Sequence, residues 1–226
     1  MSNRQYIAKT FHGLEEVLYK ELKQLGAKDI KLLKRAVSFK GDTELLYKAN
    51  YWLRTAIAIL QPIHEFKATN EEQLYEGAKK FKWTDLFGLN ETFSVHSTVY
   101  SPHFNHSHFV GLKVKDAIVD QFRDKTGQRP NVDPKNANYR IGVHVANNRV
   151  TISLDSSGDP LFKRGYRVDQ WKAPINETLA ADILPLTGYD GTRALLDPMC
   201  GSGTFLFEGA LIASDMPSGI KRRHWG

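Results

Sequence analysis

Only one cysteine, Cys200, stands in the 226 residues. No internal disulfide can form, and a zinc site built on thiolates would have too few ligands. Long apolar runs are also missing: nothing approaches the ~20 residues of a bilayer span, and Met1-Ser2-Asn3-Arg4-Gln5-Tyr6 lacks the apolar centre of a signal peptide. Internal repeats and low-complexity tracts are absent as well. These absences lead to the expectation of a cytosolic globular protein. Acidic residues are the scarcer charge, 25 Asp+Glu against 31 Lys+Arg, and the net charge of +6 favours an acidic partner, nucleic acid first. His103, His106 and His108 lie close together, but no carboxylate at helical spacing accompanies them. A loop of surface histidines and no metal is the expectation there.

What is present reads as an α+β chain. Tyr6–Lys9 suits a first strand, and Leu14, Val17, Leu18, Leu22 and Leu25 form a helical stripe stopped by Gly26. Ile30–Leu33 and Ala36–Phe39 are strand candidates. Asp42 is placed to cap a helix from Thr43 to about Tyr51, and Ala56–Leu60 reads as a strand ending at Pro62. Asn70 is positioned to cap a helix over Glu71–Phe81, with Trp83 and Phe87 closing its end. Phe93, Val95 and Val99 suit a strand. The run Leu112–Arg123 predicts a helix with Val114, Ile118 and Phe122 inward, Lys113, Lys115 and Arg123 outward, and Gly127 as its stop. Alternation at Ile141, Val143 and Val145, then at Val150, Ile152 and Leu154, predicts a hairpin turning at Asn147-Asn148. The turn residues Ser156–Pro160 mark a boundary, beyond which Asn176–Leu184 reads as a helix.

The stretch most informative about function is Leu195-Leu196-Asp197-Pro198-Met199-Cys200-Gly201-Ser202-Gly203-Thr204, followed by the helical Phe205–Ala213. A strand, a glycine turn and a helix N-terminus are expected to form a cradle for a small anionic group. A P-loop would need Lys and Ser/Thr after the last glycine, where Thr204 and Phe205 stand. A dinucleotide fingerprint would need a third glycine where Leu206 stands. S-adenosylmethionine remains, with Gly201 and Gly203 letting the backbone approach its amino-acid tail; a glycine turn that binds nothing is the other reading. Cys200 is expected to be a small buried filler, and Glu177 and Thr178 either touch the ligand or cap their helix.

Asp197–Thr204 resembles the S-adenosylmethionine loop of class I RNA methyltransferases that act on exocyclic amines. Arg164-Gly165-Tyr166-Arg167 and Ala173–Ala181 resemble the segment leading into that domain. Lys113–Asp120, Arg129–Asp133 and Leu154-Asp155 are similar to the THUMP RNA-binding domain of the same family, and Phe39–Asp42 to the ferredoxin-like unit before it. The resemblance is strongest to the large-subunit ribosomal RNA guanine-N2 methyltransferases of bacteria, in their two-methyltransferase form. It implies a ferredoxin-like unit over residues 1–65, a THUMP domain over 66–158, and a linker with the incomplete start of a Rossmann-like methyltransferase domain over 159–226. The implied activity is methylation of a guanine N2 amine in 23S ribosomal RNA. Asp197, Pro198, Cys200, Gly201, Ser202, Gly203, Thr204 and Thr178 would bind the cofactor. Lys113, Lys115, Arg123, Arg129, Lys163, Arg164 and Arg167 would hold RNA through phosphates. The family's catalytic Asn/Asp-Pro-Pro-aromatic word is not in the sequence, so no catalytic residue is assigned, and the chain is expected to be the N-terminal portion of a longer enzyme. An RNA-binding module without catalysis, or an adenine-N6 methyltransferase, are the competing readings.

Overall fold

Burial alternates along the first strand, with Tyr6 and Ala8 fully buried between exposed or half-buried neighbours, and this fixes which face of the opening sheet meets its helices. The computed structural model describes residues 3–167 and 174–226; Ala173, quoted above, lies outside them. The chain divides into two units, one made of residues up to Leu60 together with Ser156–Trp225, the other of Gln61–Asp155.

In the first unit, β1 (Arg4–Lys9), α1 (Glu15–Gln24), β2 (Lys28–Leu33), β3 (Ala36–Gly41), α2 (Thr43–Trp52) and the start of β4 (Ala58–Lys67) follow in order. The strands lie in the order β2-β3-β1-β4. All pairings are antiparallel: Tyr6 faces Phe39 across β1 and β3, and Ala8 faces Ile59 across β1 and β4. This is the βαββαβ ferredoxin-like arrangement. Leu18 and Leu22 of α1 and Leu45, Leu46 and Ala49 of α2 pack with Tyr6, Val37, Phe39 and Ile59. Asp42 caps α2 as expected, its carboxylate accepting from Leu45 N–H at 2.9 Å. Strand β4 does not end at Pro62 but runs on to Lys67. Its pairing with β1 ends at Leu60, so the missing N–H of Pro62 forfeits no bond to β1.

The second unit contains α3 (Glu71–Lys79), a 3-10 turn (Trp83–Asp85), β5 (Thr92–Tyr100), α4 (Ser107–Thr126), β6 (Asn131–Val132), β7 (Tyr139–Ala146) and β8 (Arg149–Asp155). Its strands are ordered β8-β7-β5-β6, with β5 parallel to β6 and β7. The hairpin β7–β8 turns at Asn147, which takes φ 54°, a conformation asparagine tolerates. Helix α4 starts five residues before the predicted Leu112 and ends at Gly127, φ 73°, whose N–H donates to Arg123 O. Its buried face, Val114, Ile118 and Phe122, meets Trp83, Phe87, Phe93, Ile141 and Val143. Gln121 is the polar member of that face. Its oxygen accepts from Trp83 N–H at 2.9 Å and its amide donates to the carbonyls of Lys79 and Phe81, so the core contains a satisfied amide rather than a defect.

After β8 the chain returns to the first unit and forms α5 (Glu177–Leu186) and α6 (Thr204–Ala213). Among the described residues no helix is long and apolar enough to cross a membrane.

Candidate functional site

The expected strand at Leu195-Leu196 is absent from the structure; residues 191–203 run as turns and loop into α6. A strand exists only by pairing, and this segment pairs with none of the described strands. Leu196 and Met199 accordingly stand 86% and 90% exposed. The glycine turn itself forms. Asp197 turns its carboxylate back to accept from Met199 N–H at 3.0 Å. Gly201 and Gly203 take φ 51° and 72°, and Gly203 N–H donates to Cys200 O at 2.7 Å. Gly203 is the N-cap of α6, and Phe207 N–H returns to its carbonyl at 2.9 Å. The N–H groups of the first turn have no acceptor within the helix and are the natural donors for an anion. Pro198 and Ser202 lie in the same turn, and Ser202 and Thr204 share a hydroxyl–hydroxyl contact of 3.2 Å. Cys200 is exposed, not the buried filler expected of it: the segment has no sheet to pack into.

Thr178 does not face this turn with a free hydroxyl. It is fully buried, and its Oγ1 donates to Ala56 O at 3.5 Å. The cap of α5 is Asn176, which accepts from Leu179 N–H at 3.2 Å. Glu177 instead forms an ion pair with Arg167.

Arg164 departs furthest from expectation. It is 1% exposed, its Nε faces Glu208 at 3.5 Å, Nη1 donates to Leu161 O at 2.8 Å, and Nη2 donates to Arg54 O. A guanidinium so enclosed presents no donor at the surface where a phosphate would sit, so it leaves the set of RNA contacts. Arg167 is also turned inward, donating to Ile175 O at 2.7 Å and Thr204 Oγ1 at 3.0 Å. Lys163 alone of these three stays exposed, near Asp159 at 3.3 Å. Two buried carboxyls, Glu208 and Asp182, interact with Arg164, and the half-buried Glu21 interacts with Asp182. Burial pushes Glu208 and Glu21 above the usual carboxylate range, and Asp182 up to about 8, with Glu21 adding to the effect on Asp182. Glu21 accepts from the N–H groups of Arg54 and Thr55. Neither oxygen of Asp182 has a hydrogen-bond partner among the described residues.

In the second unit the sequence-derived cations do come together. Lys113, Lys115, Arg123 and Arg129 line a cleft of about 560 Å³ with Tyr75, Asp116, Asp120 and Asn131. Lys115 is paired with Asp116 at 2.7 Å and Arg123 with Asp120 at 3.0 Å, while Lys113 is 3.9 Å from Glu71. Arg129, in the loop after α4, is exposed. Among the described residues no group of three or more His, Cys, Asp or Glu is placed to hold a metal ion.

Sequence reasoning gave no role to Tyr166, Asp182 or Glu208. A signal was available for the two acids: each is the lone charge within an apolar run, Leu179–Leu186 and Phe205–Ala213. A carboxyl in a helix that is apolar on every side is buried, and buried carboxyls are paired or protonated.

Three family models match the chain in succession: an RlmL ferredoxin-like domain over residues 5–60, a THUMP domain over 68–155, and an RMKL-like methyltransferase domain over 164–226. With the fold just described, they match the chain, segment by segment, to the domains of THUMP-class methyltransferases. More narrowly, the series is that of a THUMP-containing N-terminal region of RlmL type. Solved structures agree over the whole length. The chain is 34% identical to a protein of Listeria monocytogenes described as a predicted N6-adenine-specific DNA methylase (TM-score 0.85, 100% of this chain). It is 35% identical to a protein of Clostridium difficile 630 described as a possible methylase (TM-score 0.86, 99% of this chain). It is 29% identical to SMU.472, a candidate methyltransferase complexed with SAH (TM-score 0.83, 100% of this chain). The chain spans 59% of the length of each of these proteins.

Proposed function

We propose that this chain is the RNA-gripping and cofactor-loop portion of an S-adenosylmethionine-dependent methyltransferase that modifies the N2 amine of a guanine in 23S ribosomal RNA, in the cytoplasm. The observation that carries the reading is the turn Asp197–Thr204, with two left-handed glycines delivering free N–H groups at the start of α6. Those donors suit a carboxylate, and the exposed turn leaves room for one. S-adenosylmethionine, when bound, supplies a methyl group on a sulfonium. Gly201 and Gly203 would let the main chain close on its amino-acid tail, and the N–H groups at Thr204 and Phe205 would receive its carboxylate. Asp197, Pro198, Cys200 and Ser202 would line the turn. The SAH complex of the related SMU.472 supports the cofactor.

RNA would be held by Lys113, Lys115, Arg123 and Arg129 of the THUMP domain, with Lys163 contributing from the linker. These groups suit phosphate contacts, which position a folded RNA without reading its bases. In functional terms residues 1–65 and 66–158 would hold RNA, and 159–226 would begin the methyl-transfer domain. The Listeria relative favours a second reading, methylation of an adenine N6 amine, whose acceptor chemistry is closely similar.

Calorimetric titration with S-adenosylhomocysteine tests the cofactor. Incubating the full-length protein with unmodified 23S ribosomal RNA and labelled S-adenosylmethionine, then separating nucleosides, tests the target. N2-methylguanosine is expected. N6-methyladenosine would replace this reading with the second, and RNA binding with neither label transfer nor cofactor binding would leave a binding module.

A further inference from the structure

Three side chains within four consecutive residues converge on one turn of α6. Arg164 Nε and Tyr166 Oη both reach Glu208 Oε1, at 3.5 and 2.9 Å. The Tyr166 ring stacks on Phe207, centroids 5.1 Å apart at 22°. Arg167 Nη2 donates to Thr204 Oγ1 at 3.0 Å, and its Nε faces the Glu177 carboxylate as an ion pair without an aligned hydrogen bond. Gly165 makes the convergence feasible. At φ 84°, with a hypothetical Cβ only 2.4 Å from Lys221 O, it is a position where the main chain passes too close for any side chain.

Thr204, Phe207 and Glu208 are the first, fourth and fifth residues of α6, directly after the glycine turn. A ten-residue helix reached through an unpaired loop has little of its own to fix its start. Arg164, buried against Leu161 and Arg54 carbonyls, supplies a fixed base in the same unit.

We infer that Arg164-Gly165-Tyr166-Arg167 is a clamp that positions the cofactor turn, with Tyr166 and Arg167 as positioning residues for methyl-donor binding rather than contacts for RNA. The inference rests on the cofactor reading above only in its last step. The clamp itself acts on Thr204, Phe207 and Glu208 whatever the turn binds. A hydroxyl that anchors Glu208 and a guanidinium that anchors Thr204 hold the helix at two points one turn apart, which sets where its free N–H groups point.

Hydrogen exchange by mass spectrometry on the chain, with Tyr166→Phe, Arg167→Ala and Arg167→Lys, tests it. Tyr166→Phe keeps the stack on Phe207 and removes one hydrogen bond. Exchange in peptides covering residues 197–208 should quicken roughly five- to tenfold, while α1 and α4 peptides keep their wild-type rates. Arg167→Ala should do the same, and Arg167→Lys, which retains a charge for Glu177 but loses the fork, should fall between. If Arg167→Ala does not fold, Tyr166→Phe decides. Unchanged exchange in residues 197–208, or an equal rise across the whole molecule, overturns the clamp. S-adenosylhomocysteine titration separates the two claims. Weaker binding in both variants is expected, and wild-type affinity in variants whose turn is loosened overturns the positioning role. A wild-type chain that binds none, with the local exchange response intact, refutes the cofactor reading and leaves the clamp standing.

Discussion

Replacing Asp182 with Asn removes an acid that the first unit holds at a cost. Asp182 is fully buried on α5, and its carboxyl is pushed from 3.8 up to about 8 by burial first and by Glu21 second, against the opposing effect of Arg164. Burial is the first reason, and the surrounding charges add to it. Glu21, Asp182 and Glu208 would carry three negative charges against the two guanidiniums of Arg54 and Arg164, and a proton on Asp182 restores balance. The folded state therefore holds a proton that the unfolded chain releases above its ordinary value. This contribution is complete below pH ~4, declines as pH rises, and is exhausted near pH 8. At 1.36 kcal/mol per unit the window from pH 5 to 8 is worth at most about 4 kcal/mol, and solvent relaxation around buried charge brings the expected value to roughly 2–3 kcal/mol. Urea unfolding of wild type and Asp182→Asn at pH 5 and pH 8 measures it. Wild type should lose that much more stability than the variant between the two values, and the variant should be the more stable protein at pH 8. Parallel pH profiles for the two proteins would refute the assignment of the proton to Asp182.

Three further outcomes follow from particular contacts. Gln121→Ala strips Trp83 N–H, Lys79 O and Phe81 O of their shared partner, and should cost about 2–4 kcal/mol in denaturant titration. Gly203→Ala forces a side chain into φ 72° where Phe207 lies at an ordinary 3.6 Å, so strain and not a clash should lower stability by about 1–2 kcal/mol, read as a falling Tm. Arg129→Ala should lower the salt dependence of binding to a ribosomal RNA fragment by about one unit of slope. Lys115→Ala should lower it less, because Asp116 already neutralises that ammonium at 2.7 Å; equal slopes for the two variants would count against the cleft as the phosphate site.

The elements that sequence made legible are those whose signal is local. The Asp42 and Asn70 caps, the Gly127 stop and the Asn147 hairpin each depend on a few adjacent residues, and each stands where their chemistry puts it. The cations Lys113, Lys115 and Arg123 were legible as outward-facing because none falls on the apolar stripe of Val114, Ile118 and Phe122, whereas the cleft they line is completed by residues from outside the helix. Pro62 and the Leu195-Leu196 segment were misread for one reason: whether a strand continues or forms at all depends on what lies beside it, and no periodicity within the strand records its neighbour.

The same distinction divides the candidate site. The order Asp197 to Thr204 dictates a glycine turn into a helix, and its lack of a P-loop Lys or a third glycine narrows the ligand, since both follow from which backbone angles and donors a short word permits. Only the tertiary structure decided what holds that turn. Arg164 and Arg167 read as exposed cations when considered singly, because a charge written in sequence carries no mark of its burial. They turn inward because Glu208 and Glu177, 44 and 10 residues further along, present carboxylates inside the same unit. A buried charge is tolerable only with such a partner, and which partner arrives is a property of the fold.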